Sequence, residues 1–322
     1  MKILVYWPSA PSDVLDLLVE GLSRYGEVLV ARGLEEAVKL VVDVDVLVGF
    51  ASNEIIEAGS KLRFVQLTTA GVDHLDLELV RRRGVMLASA KGINSFYVAE
   101  LALALMLALV KRITFFDRMA KKGVFPRYTW EYSMETLKGK KVVILGYGGI
   151  GRELARLLKP LGVYVVGVRR EVKDRIDSYA DEVVSVEEIE RVLEGADFLV
   201  ITAPLTRETK GLIGEHLLRK LKRGAYIVNV SRGPIVDESA LDKLMKEGWI
   251  RGAGLDVWWL YPGEGVYSSL GVHENPDVIA TPHRGGFVKE AFLDVARFAI
   301  ENVGRFARRE TPLNLVDLDK GY

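Results

Sequence analysis

Short apolar runs alternate with amphipathic stretches over the first 94 residues. The runs have three or four residues and many β-branched side chains, which is typical of buried strands: Ile3–Tyr6, Val28–Val30, Val46–Gly49, Phe64–Leu67 and Val85–Ala88. The stretches between them have helical periodicity: Ser12–Arg24, Glu35–Val42 and Leu75–Arg83. This alternation predicts a parallel sheet covered by helices, and therefore an α/β domain over residues 1–94.

The next segment of the chain is apolar on nearly every face. Asn94–Arg112 predicts one long helix, and its lack of a polar stripe indicates burial between domains or subunits. The following region, Phe115–Thr136, is rich in aromatic and basic residues and has little periodicity. It is either an arm that packs on a second copy of the chain or a local surface loop. Its length without a regular pattern favours the arm.

A second series of strands and helices begins with a glycine motif. The strand Val142–Leu145 leads into Gly146-Tyr-Gly-Gly-Ile-Gly151, and a helix follows over Arg152–Leu161. The spacing is weak evidence by itself, because the chain has 31 glycines. Its position between a strand and a helix, however, predicts a turn that brings backbone N–H groups to a dinucleotide pyrophosphate. The alternative is a glycine-rich turn that binds no ligand.

The strand that follows the motif indicates which dinucleotide binds. Val163–Val168 ends in Arg169 and Arg170, and Arg169 stands 18 residues after Gly151. An acidic residue near this position binds the ribose of NAD, whereas an arginine suits the 2′-phosphate of NADP, which a guanidinium binds bidentately. The sequence therefore predicts NADP(H) as the preferred cofactor. NAD(H) is the alternative, with two solvated arginines and Glu171 at the ribose.

Six predicted strands in the second half match a doubly wound dinucleotide-binding fold: Val142–Leu145, Val163–Val168, Phe198–Thr202, Tyr226–Val230, Gly252–Asp256 and Val278–Thr281. The last predicted helix, Phe287–Arg308, is amphipathic and is expected to return to the first domain. The predicted fold is therefore α/β with two doubly wound parallel-sheet domains. A flavodoxin-like domain covers residues 1–94, a Rossmann coenzyme domain covers 95–292, and residues 293–322 return to the first domain.

The composition argues against several classes of function. Basic and acidic residues number 44 each, so the net charge is zero, which disfavours nucleic acid or an anionic membrane as the main partner. There is no cysteine, and no group of histidines and carboxylates has metal-ligand spacing, so no metal is expected. Met1-Lys2 leads directly into a strand, and the longest apolar run, Leu101–Val110, is too short to span a bilayer. A cytoplasmic protein is expected.

Polar residues suited to chemistry follow the strands of the second series. Arg232 follows the fourth strand, Asp256 ends the fifth, and His283 follows the sixth. Ligands of doubly wound folds bind at these carboxyl ends. An arginine beside a buried strand needs an anion, which is either a ligand or a structural partner such as Asp237 or Asp256. A histidine here is suited to proton transfer, and the alternative is a satisfied core histidine.

The chain has three other histidines. His216, on a helical stretch, and His273, in a polar loop, are expected to be solvated, and His74 is ambiguous. His283 is therefore the strongest candidate for acid–base chemistry.

Five segments together resemble the D-isomer-specific 2-hydroxyacid dehydrogenase family. They occur in the family's order, and the similarity covers nearly the whole chain: Gly146–Gly151, Thr202-Ala-Pro-Leu-Thr206, Val228–Asp237, Gly252–Val257 and Thr281-Pro-His283. The resemblance implies a discontinuous substrate-binding domain, from residues 1–94 and 293–322, around a nicotinamide-binding domain. It also implies a homodimer formed through the long helix and the arm.

The resemblance further implies roles for single residues. Arg232 matches the family's substrate-binding arginine and His283 its acid–base residue, while Ala70 and Gly71 match the loop whose amides hold the substrate carboxylate. Asp256 matches a residue that contacts the nicotinamide carboxamide. The other expected cofactor-binding residues are Gly146, Gly148, Gly149, Ile150, Gly151, Arg169, Arg170, Ala203, Pro204 and Val230.

One position departs from the family's pattern. A glutamate usually stands five residues after the aspartate of the fifth strand, where it hydrogen-bonds the catalytic histidine; here the residue is Tyr261. A tyrosine hydroxyl orients the imidazole but supplies no charge. We therefore include Tyr261 in the catalytic site and expect His283 to protonate at lower pH than in glutamate-bearing relatives. Glu264 is a nearby carboxylate that could substitute.

A second similarity is to the formate dehydrogenase branch, which also lacks that glutamate. It rests on the pattern Asn94-Ser-x-x-Val-Ala-Glu100 and on Asp256-Val-Trp258. Asn94 either binds a small carboxylate or caps the helix that starts there, and the two roles are compatible.

The expected activity is NADP(H)-dependent hydride transfer between nicotinamide and a small D-2-hydroxy acid or 2-keto acid, of the glyoxylate or hydroxypyruvate type. One alternative is oxidation of formate or a similar one-carbon anion. Another is a non-catalytic, dinucleotide-sensing interaction protein, because a fold alone does not determine function. The presence of both Arg232 and His283 favours catalysis.

Overall fold

The computed structural model describes residues 1–172, 177–261 and 267–320. Residues 1–94 form five strands and four helices: β1 (Lys2–Tyr6), α1 (Ser12–Ser23), β2 (Glu27–Val30), α2 (Leu34–Leu40), β3 (Val46–Gly49), α3 (Asn53–Ala58), β4 (Phe64–Leu67), α4 (Leu77–Arg83) and β5 (Met86–Ala88).

The described residues between 95 and 286 form seven strands and six helices, and one more helix follows. In chain order these are α5 (Ser95–Val110), α6 (Ile113–Lys121), β6 (Lys141–Leu145), α7 (Gly149–Leu158), β7 (Tyr164–Arg169), β8 (Glu182–Ser185), α8 (Ile189–Leu193), β9 (Phe198–Ile201), α9 (Glu215–Leu218), β10 (Ala225–Asn229), α10 (Glu238–Lys246), β11 (Ile250–Leu255), β12 (Val278–Ala280) and α11 (Lys289–Ala307).

The first compact unit contains residues 1–94 and 287–322. Its five strands are all parallel, in the order β2-β1-β3-β4-β5. Helix α11 is one continuous helix, and it packs against α1 on one face of this sheet. For this reason the second segment of the unit begins at Phe287, ahead of position 293 taken from the sequence. The strand order is that of flavodoxin-like folds, whose ligands bind at the carboxyl edge.

The second compact unit, residues 95–286, contains a parallel sheet in the order β12-β11-β10-β9-β6-β7-β8. Both faces of its central strands are buried, as the apolar runs in the sequence require. The order reverses between β6 and β9, and ligands of such sheets bind beside this switch point. The predicted α/β class with two doubly wound sheets is confirmed.

Three elements differ from the sequence-based expectations. The sheet of the second unit has a seventh strand, β8, which has only two apolar residues (Val183 and Val184) and lies at the sheet edge. The short helix α3 falls in a stretch taken for a connection. Residues 113–121 form α6, so the expectation of little regular structure after Phe115 is wrong for the first part of that region. Helix α6 is amphipathic, although none of its residues is buried.

No helix in residues 1–172, 177–261 and 267–320 combines the length and apolar character that crossing a membrane requires. Over the same three ranges, no three side chains among histidine and the carboxylates are grouped closely enough to hold a metal ion.

Candidate active site

The glycine motif forms a tight turn between β6 and α7. Gly146 has a φ of 98°, and a Cβ there would lie 2.3 Å from the backbone nitrogen of Ala203. A Cβ at Gly151 would lie 2.7 Å from the carbonyl oxygen of Gly146. At Gly148, by contrast, the nearest atom to a Cβ is 4.0 Å away. Two glycines therefore allow close backbone packing, and the third leaves open space next to the turn.

The start of α7 is arranged to receive an anion. The helix begins at Gly149, and the residue before it, Gly148, has no side chain with which to cap it. The N–H groups of Gly149, Ile150 and Gly151 belong to the first turn, where the helix itself offers no acceptors. The partial positive charge of a helix N-terminus favours phosphate. The turn thus has the form and the donors that a dinucleotide pyrophosphate needs.

Two arginines stand at the end of the neighbouring strand β7. Arg170 forms an ion pair with Glu208. Arg169 is exposed, and no carboxylate in the described part of the chain forms an ion pair with it. Because β7 pairs with β6, which leads into the glycine turn, Arg169 lies on the same edge of the sheet as that turn.

The segments after β9 and β10 complete this side of the edge. Thr202 donates a hydrogen bond from Oγ1 to the carbonyl of Gly146, at 2.8 Å. Ser231 donates from its hydroxyl to the carbonyl of Ala203. Ala203 and Val230 are buried, and Pro204 is exposed beside them. These cofactor-site candidates therefore surround the glycine turn.

Arg232 extends from a well-ordered turn after β10. The Asn229 side chain accepts from Ser231 N at 3.0 Å and donates to the Arg232 carbonyl at 2.9 Å. A Cβ at Gly233 would lie 2.3 Å from the backbone of Trp258, so only glycine permits this approach. The two carboxylates considered as structural partners have other roles: Asp237 caps α10, and Asp256 binds the loop after β12.

Asp256 organises the loop that carries His283. Its carboxylate is buried, with 1% exposed, and it accepts three hydrogen bonds. The donors are Thr281 Oγ1 at 2.6 Å, Arg284 N at 2.8 Å and Gly285 N at 2.8 Å. His283, between them, has a φ of 55° in the left-handed region. One acceptor site of the carboxylate remains, so contact with the nicotinamide carboxamide stays a prediction.

Two aromatic side chains hold His283 and its strand end. The indole of the buried Trp258 donates to the carbonyl of Thr281 at 3.0 Å. The hydroxyl of Tyr261 lies 3.2 Å from Nδ1 of His283. This contact places Nδ1 on the side of the tyrosine hydroxyl, so Nε2 lies on the opposite edge of the imidazole ring. Glu264, the other carboxylate considered beside His283, lies outside the described residues.

The first unit contributes a separate candidate loop after β4. Thr69 donates from Oγ1 to the carbonyl of Gly71 at 3.0 Å, and its own carbonyl accepts from Ala90 N at 2.9 Å. Ala70 and Gly71 are half-buried in this loop, and Asn94 is half-buried directly before α5. The loop lies at the carboxyl edge of the first sheet, where its fold class binds ligands.

The other histidines lie elsewhere. His216 is 69% exposed and lies 3.1 Å from Glu190, as expected for a solvated side chain. The expectation that His273 is solvated is wrong: its ring contacts Trp258 and Tyr267, and its Nδ1 is buried. His74 stacks on Phe50, with ring centroids 5.4 Å apart.

The sequence-based analysis missed two residues of the site. Trp258 was noted only as part of a motif, and its hydrogen bond to a residue 23 positions away has no local signal. Tyr147, inside the glycine motif, donates from Oη to Asp177 at 2.8 Å. Burial raises the pKa of Tyr147, and the neighbouring Asp177 raises it further. The signal that could have indicated a role for Tyr147 is its large polar ring between two glycines of a phosphate-binding turn.

The doubly wound sheet and its glycine turn define a dinucleotide-binding protein. Residues 103–285, more than half of the chain, match the family model described as "D-isomer specific 2-hydroxyacid dehydrogenase, NAD binding domain". The chain belongs to this family, and it is a nicotinamide-dependent oxidoreductase that acts on the CH–OH group of its donors. The family predicted from the sequence motifs is confirmed.

Relatives of known sequence and structure agree with this assignment. The glyoxylate reductase of Thermococcus litoralis is 34% identical over 288 residues, covering 86% of this chain and 85% of that protein. The TT0316 protein of Thermus thermophilus is 31% identical, with a TM-score of 0.80 over 98% of this chain and 100% of that one. An acyclic imino acid reductase in complex with NADPH and D-Arg is 25% identical, with a TM-score of 0.84 over 98% and 100% of the two chains.

Proposed function

We propose that this enzyme reduces a small 2-keto acid, of the glyoxylate or hydroxypyruvate type, to the D-2-hydroxy acid with NADPH. The observation that carries the proposal is the loop after β12, where Asp256 and Tyr261 hold His283 at the same sheet edge as Arg232 and the glycine turn. We assign the cofactor to residues 95–286 and substrate binding mainly to the unit of residues 1–94 and 287–322. The glyoxylate reductase relative supports the substrate class.

In this proposal each residue has one task in the reduction. A reduced nicotinamide, when bound at the glycine turn, would supply the hydride for the keto carbon. Arg232 binds the substrate carboxylate and the keto oxygen, and it stabilises the negative charge that develops on that oxygen. The amides of Ala70 and Gly71, with Asn94, bind the carboxylate. His283 donates a proton from Nε2 to the developing alkoxide while Nδ1 remains beside Tyr261.

The substrate and the direction of the reaction are tested with a panel of compounds. The purified enzyme is assayed for NADPH and NADH oxidation with glyoxylate, hydroxypyruvate, pyruvate and 2-oxobutyrate, and for reduction of NADP⁺ and NAD⁺ by formate. We expect turnover with glyoxylate and hydroxypyruvate. Turnover of formate alone would assign the enzyme to one-carbon oxidation, and turnover of no compound would favour a sensor role.

The cofactor preference is assigned to Arg169. Replacing Arg169 by aspartate removes the cation for the 2′-phosphate and places a carboxylate where it repels that group. We expect kcat/KM for NADPH to fall about 100-fold while kcat/KM for NADH stays within about threefold of the wild-type value. Steady-state kinetics with both cofactors measures this. Arg170→Asp is the matched control, because Arg170 is already paired with Glu208; an equal effect in both variants would contradict the assignment.

The pH dependence is expected to follow from Tyr261. Protonated His283 is the active form in reduction, so kcat/KM falls as pH rises through the pKa of the imidazole. A carboxylate favours the imidazolium, and Tyr261→Glu should therefore move this fall to higher pH by about one unit. The pH–rate profile of the wild type, Tyr261→Glu and the uncharged control Tyr261→Gln measures the shift. The idea fails if the glutamate variant keeps the wild-type profile.

A homodimer is proposed from the surface of residues 113–136. Phe125, Tyr128 and Trp130 are 83%, 98% and 91% exposed, which is unusual for three aromatic side chains in six residues. A second copy of the chain that covers them would bury this area. The triple change of these residues to serine is expected to convert a dimer into a monomer in sedimentation velocity, with the unfolding temperature of the monomer measured alongside. A wild-type monomer at micromolar concentration would contradict the proposal.

A further inference from the structure

A buried tyrosine, a carboxylate and an arginine form a cluster beside the glycine turn, and the proposed reaction gives this cluster no role. Asp177 accepts hydrogen bonds from Tyr147 Oη at 2.8 Å, from Tyr179 N at 3.0 Å and from Arg152 Nε at 3.0 Å. The guanidinium of Arg152 also lies over the Tyr179 ring, 4.7 Å from its centroid. We call Tyr147, Arg152 and Asp177 the Asp177 cluster.

Tyr147 connects this cluster to the end of β7. Its ring packs where a side chain at Gly167 would be, since a Cβ there would lie 2.4 Å from the ring. The backbone nitrogens of Gly146 and Tyr147 both donate to the carbonyl of Val168, at 2.9 and 2.8 Å. Arg169 is the next residue, so the position of its backbone depends on how Tyr147 is held.

The charge of Asp177 would oppose a second anion nearby. Burial acts to raise the pKa of Asp177, but hydrogen bonds from Tyr179, Tyr147 and Arg152 hold it below its usual value, so the group is a carboxylate at neutral pH. Tyr147 links this carboxylate to Arg169, because its hydroxyl binds Asp177 and its backbone nitrogen binds the carbonyl of Val168, the residue before Arg169. A 2′-phosphate at Arg169 would therefore experience Asp177 as a like charge unless a cation neutralises it.

Arg152 is that cation. It is the first residue after the glycine motif, in the first turns of α7, yet its guanidinium binds Asp177 at 3.0 Å. The Asp177 side chain is 22% exposed and the Arg152 side chain 49% exposed, so water screens this pair on the arginine side more than on the carboxylate side.

We propose that the Asp177 cluster determines the preference for a 2′-phosphorylated dinucleotide: Tyr147 positions the strand end that carries Arg169, and Arg152 neutralises Asp177 so that the phosphate is not repelled. Tyr147, Arg152 and Asp177 are positioning residues, because they act through Arg169 and through the local charge. The inference rests on the proposed NADPH specificity, and it adds the residues on which that specificity depends.

The test measures binding without catalysis, by isothermal titration calorimetry with 2′,5′-ADP and 5′-AMP. The wild-type enzyme should bind 2′,5′-ADP at least about tenfold more tightly than 5′-AMP. Arg152→Met should weaken the binding of 2′,5′-ADP about tenfold and the binding of 5′-AMP less than about twofold, since only 2′,5′-ADP carries the 2′-phosphate. Adding Asp177→Asn should restore binding of 2′,5′-ADP to within about threefold of wild type, because no charge is left to neutralise.

Two further variants keep the test specific. Tyr147→Phe retains the ring against Gly167 and loses only the hydrogen bond to Asp177, so it should weaken the binding of 2′,5′-ADP about threefold. Arg156→Met is the matched control, because Arg156 is on the same helix but pairs with Glu153 at 2.8 Å. This substitution should change the binding of neither nucleotide. Unfolding temperatures of all variants show whether the fold is retained.

The outcomes separate this inference from the proposed function. A wild-type enzyme that binds the two nucleotides equally would overturn the NADPH preference together with this inference. A wild type that prefers 2′,5′-ADP, with variants that keep the preference or lose both ligands equally, would overturn only the role of the Asp177 cluster. Failure of the Asp177→Asn change to restore binding would also overturn the neutralising role of Arg152.

Discussion

Replacing His283 by asparagine is expected to lower kcat for glyoxylate reduction by about 1,000-fold. The residue has a φ of 55°, and asparagine is among the few side chains that adopt this conformation at low cost. The hydrogen bonds of Asp256 to Thr281, Arg284 and Gly285 should therefore remain, and only the proton donor is lost. The defect should then be in the chemical step, while KM for NADPH stays near the wild-type value.

Steady-state kinetics across pH is the appropriate measurement. The variant should also lose the fall of kcat/KM at high pH, because no imidazole titrates. His216→Asn is the control, since His216 is 69% exposed and lies on α9 away from the strand ends. If the His283 variant kept more than about a tenth of the wild-type kcat, proton donation by His283 would be excluded.

Replacing Arg232 by methionine is expected to lower kcat/KM for glyoxylate by about 1,000-fold or more. A charged donor that binds both the carboxylate and the developing oxyanion acts in the ground state and more strongly in the transition state, so KM should rise and kcat should fall together. The backbone at Arg232 is extended, with φ of −144°, and methionine fits it without strain. The turn after β10 should persist, because Asn229 bonds to the backbone and not to the guanidinium.

Arg232→Lys separates charge from geometry. Lysine keeps the positive charge but lacks the planar fork, so an intermediate loss of about 100-fold is expected. Binding of 5′-AMP to both variants, measured by calorimetry, should match the wild type, because the glycine turn is unchanged. Equal activity of the methionine and wild-type enzymes would remove Arg232 from the substrate site and leave its guanidinium a structural role, such as its hydrogen bond to the Ser231 carbonyl.

The central strands were predictable because each is a short apolar run buried on both faces. β1, β3, β4, β6 and β9 each coincide with such a run to within a residue or two. β8 was missed since an edge strand of four residues needs only two apolar side chains, and its hydrogen bonds with β7 have no sequence signature. The helix α6 was missed although its sequence is amphipathic, because its nine residues stand next to a region with little periodicity and were interpreted together with it.

The candidate residues of the site could be named from the sequence, since glycine, arginine and histidine at strand ends are costly or unusual without a function. The side chains that surround those residues could not be predicted. The contact of Asp256 with the nicotinamide stays a prediction, and the three hydrogen bonds that its carboxylate accepts from the loop carrying His283 were not foreseen. His273 was expected in water, but it packs between Trp258 and Tyr267.

The linear order of residues was sufficient for the two parallel sheets, for the glycine turn and for the family, because periodicity and motif spacing are local properties of the chain. Folding decided which side chains support the chemical groups: the left-handed backbone at His283, the indole behind Thr281, and the ion pair of Arg152 with Asp177. The indole and ion-pair contacts join residues 23 and 25 positions apart, and their existence depends on how the folded chain brings these segments together.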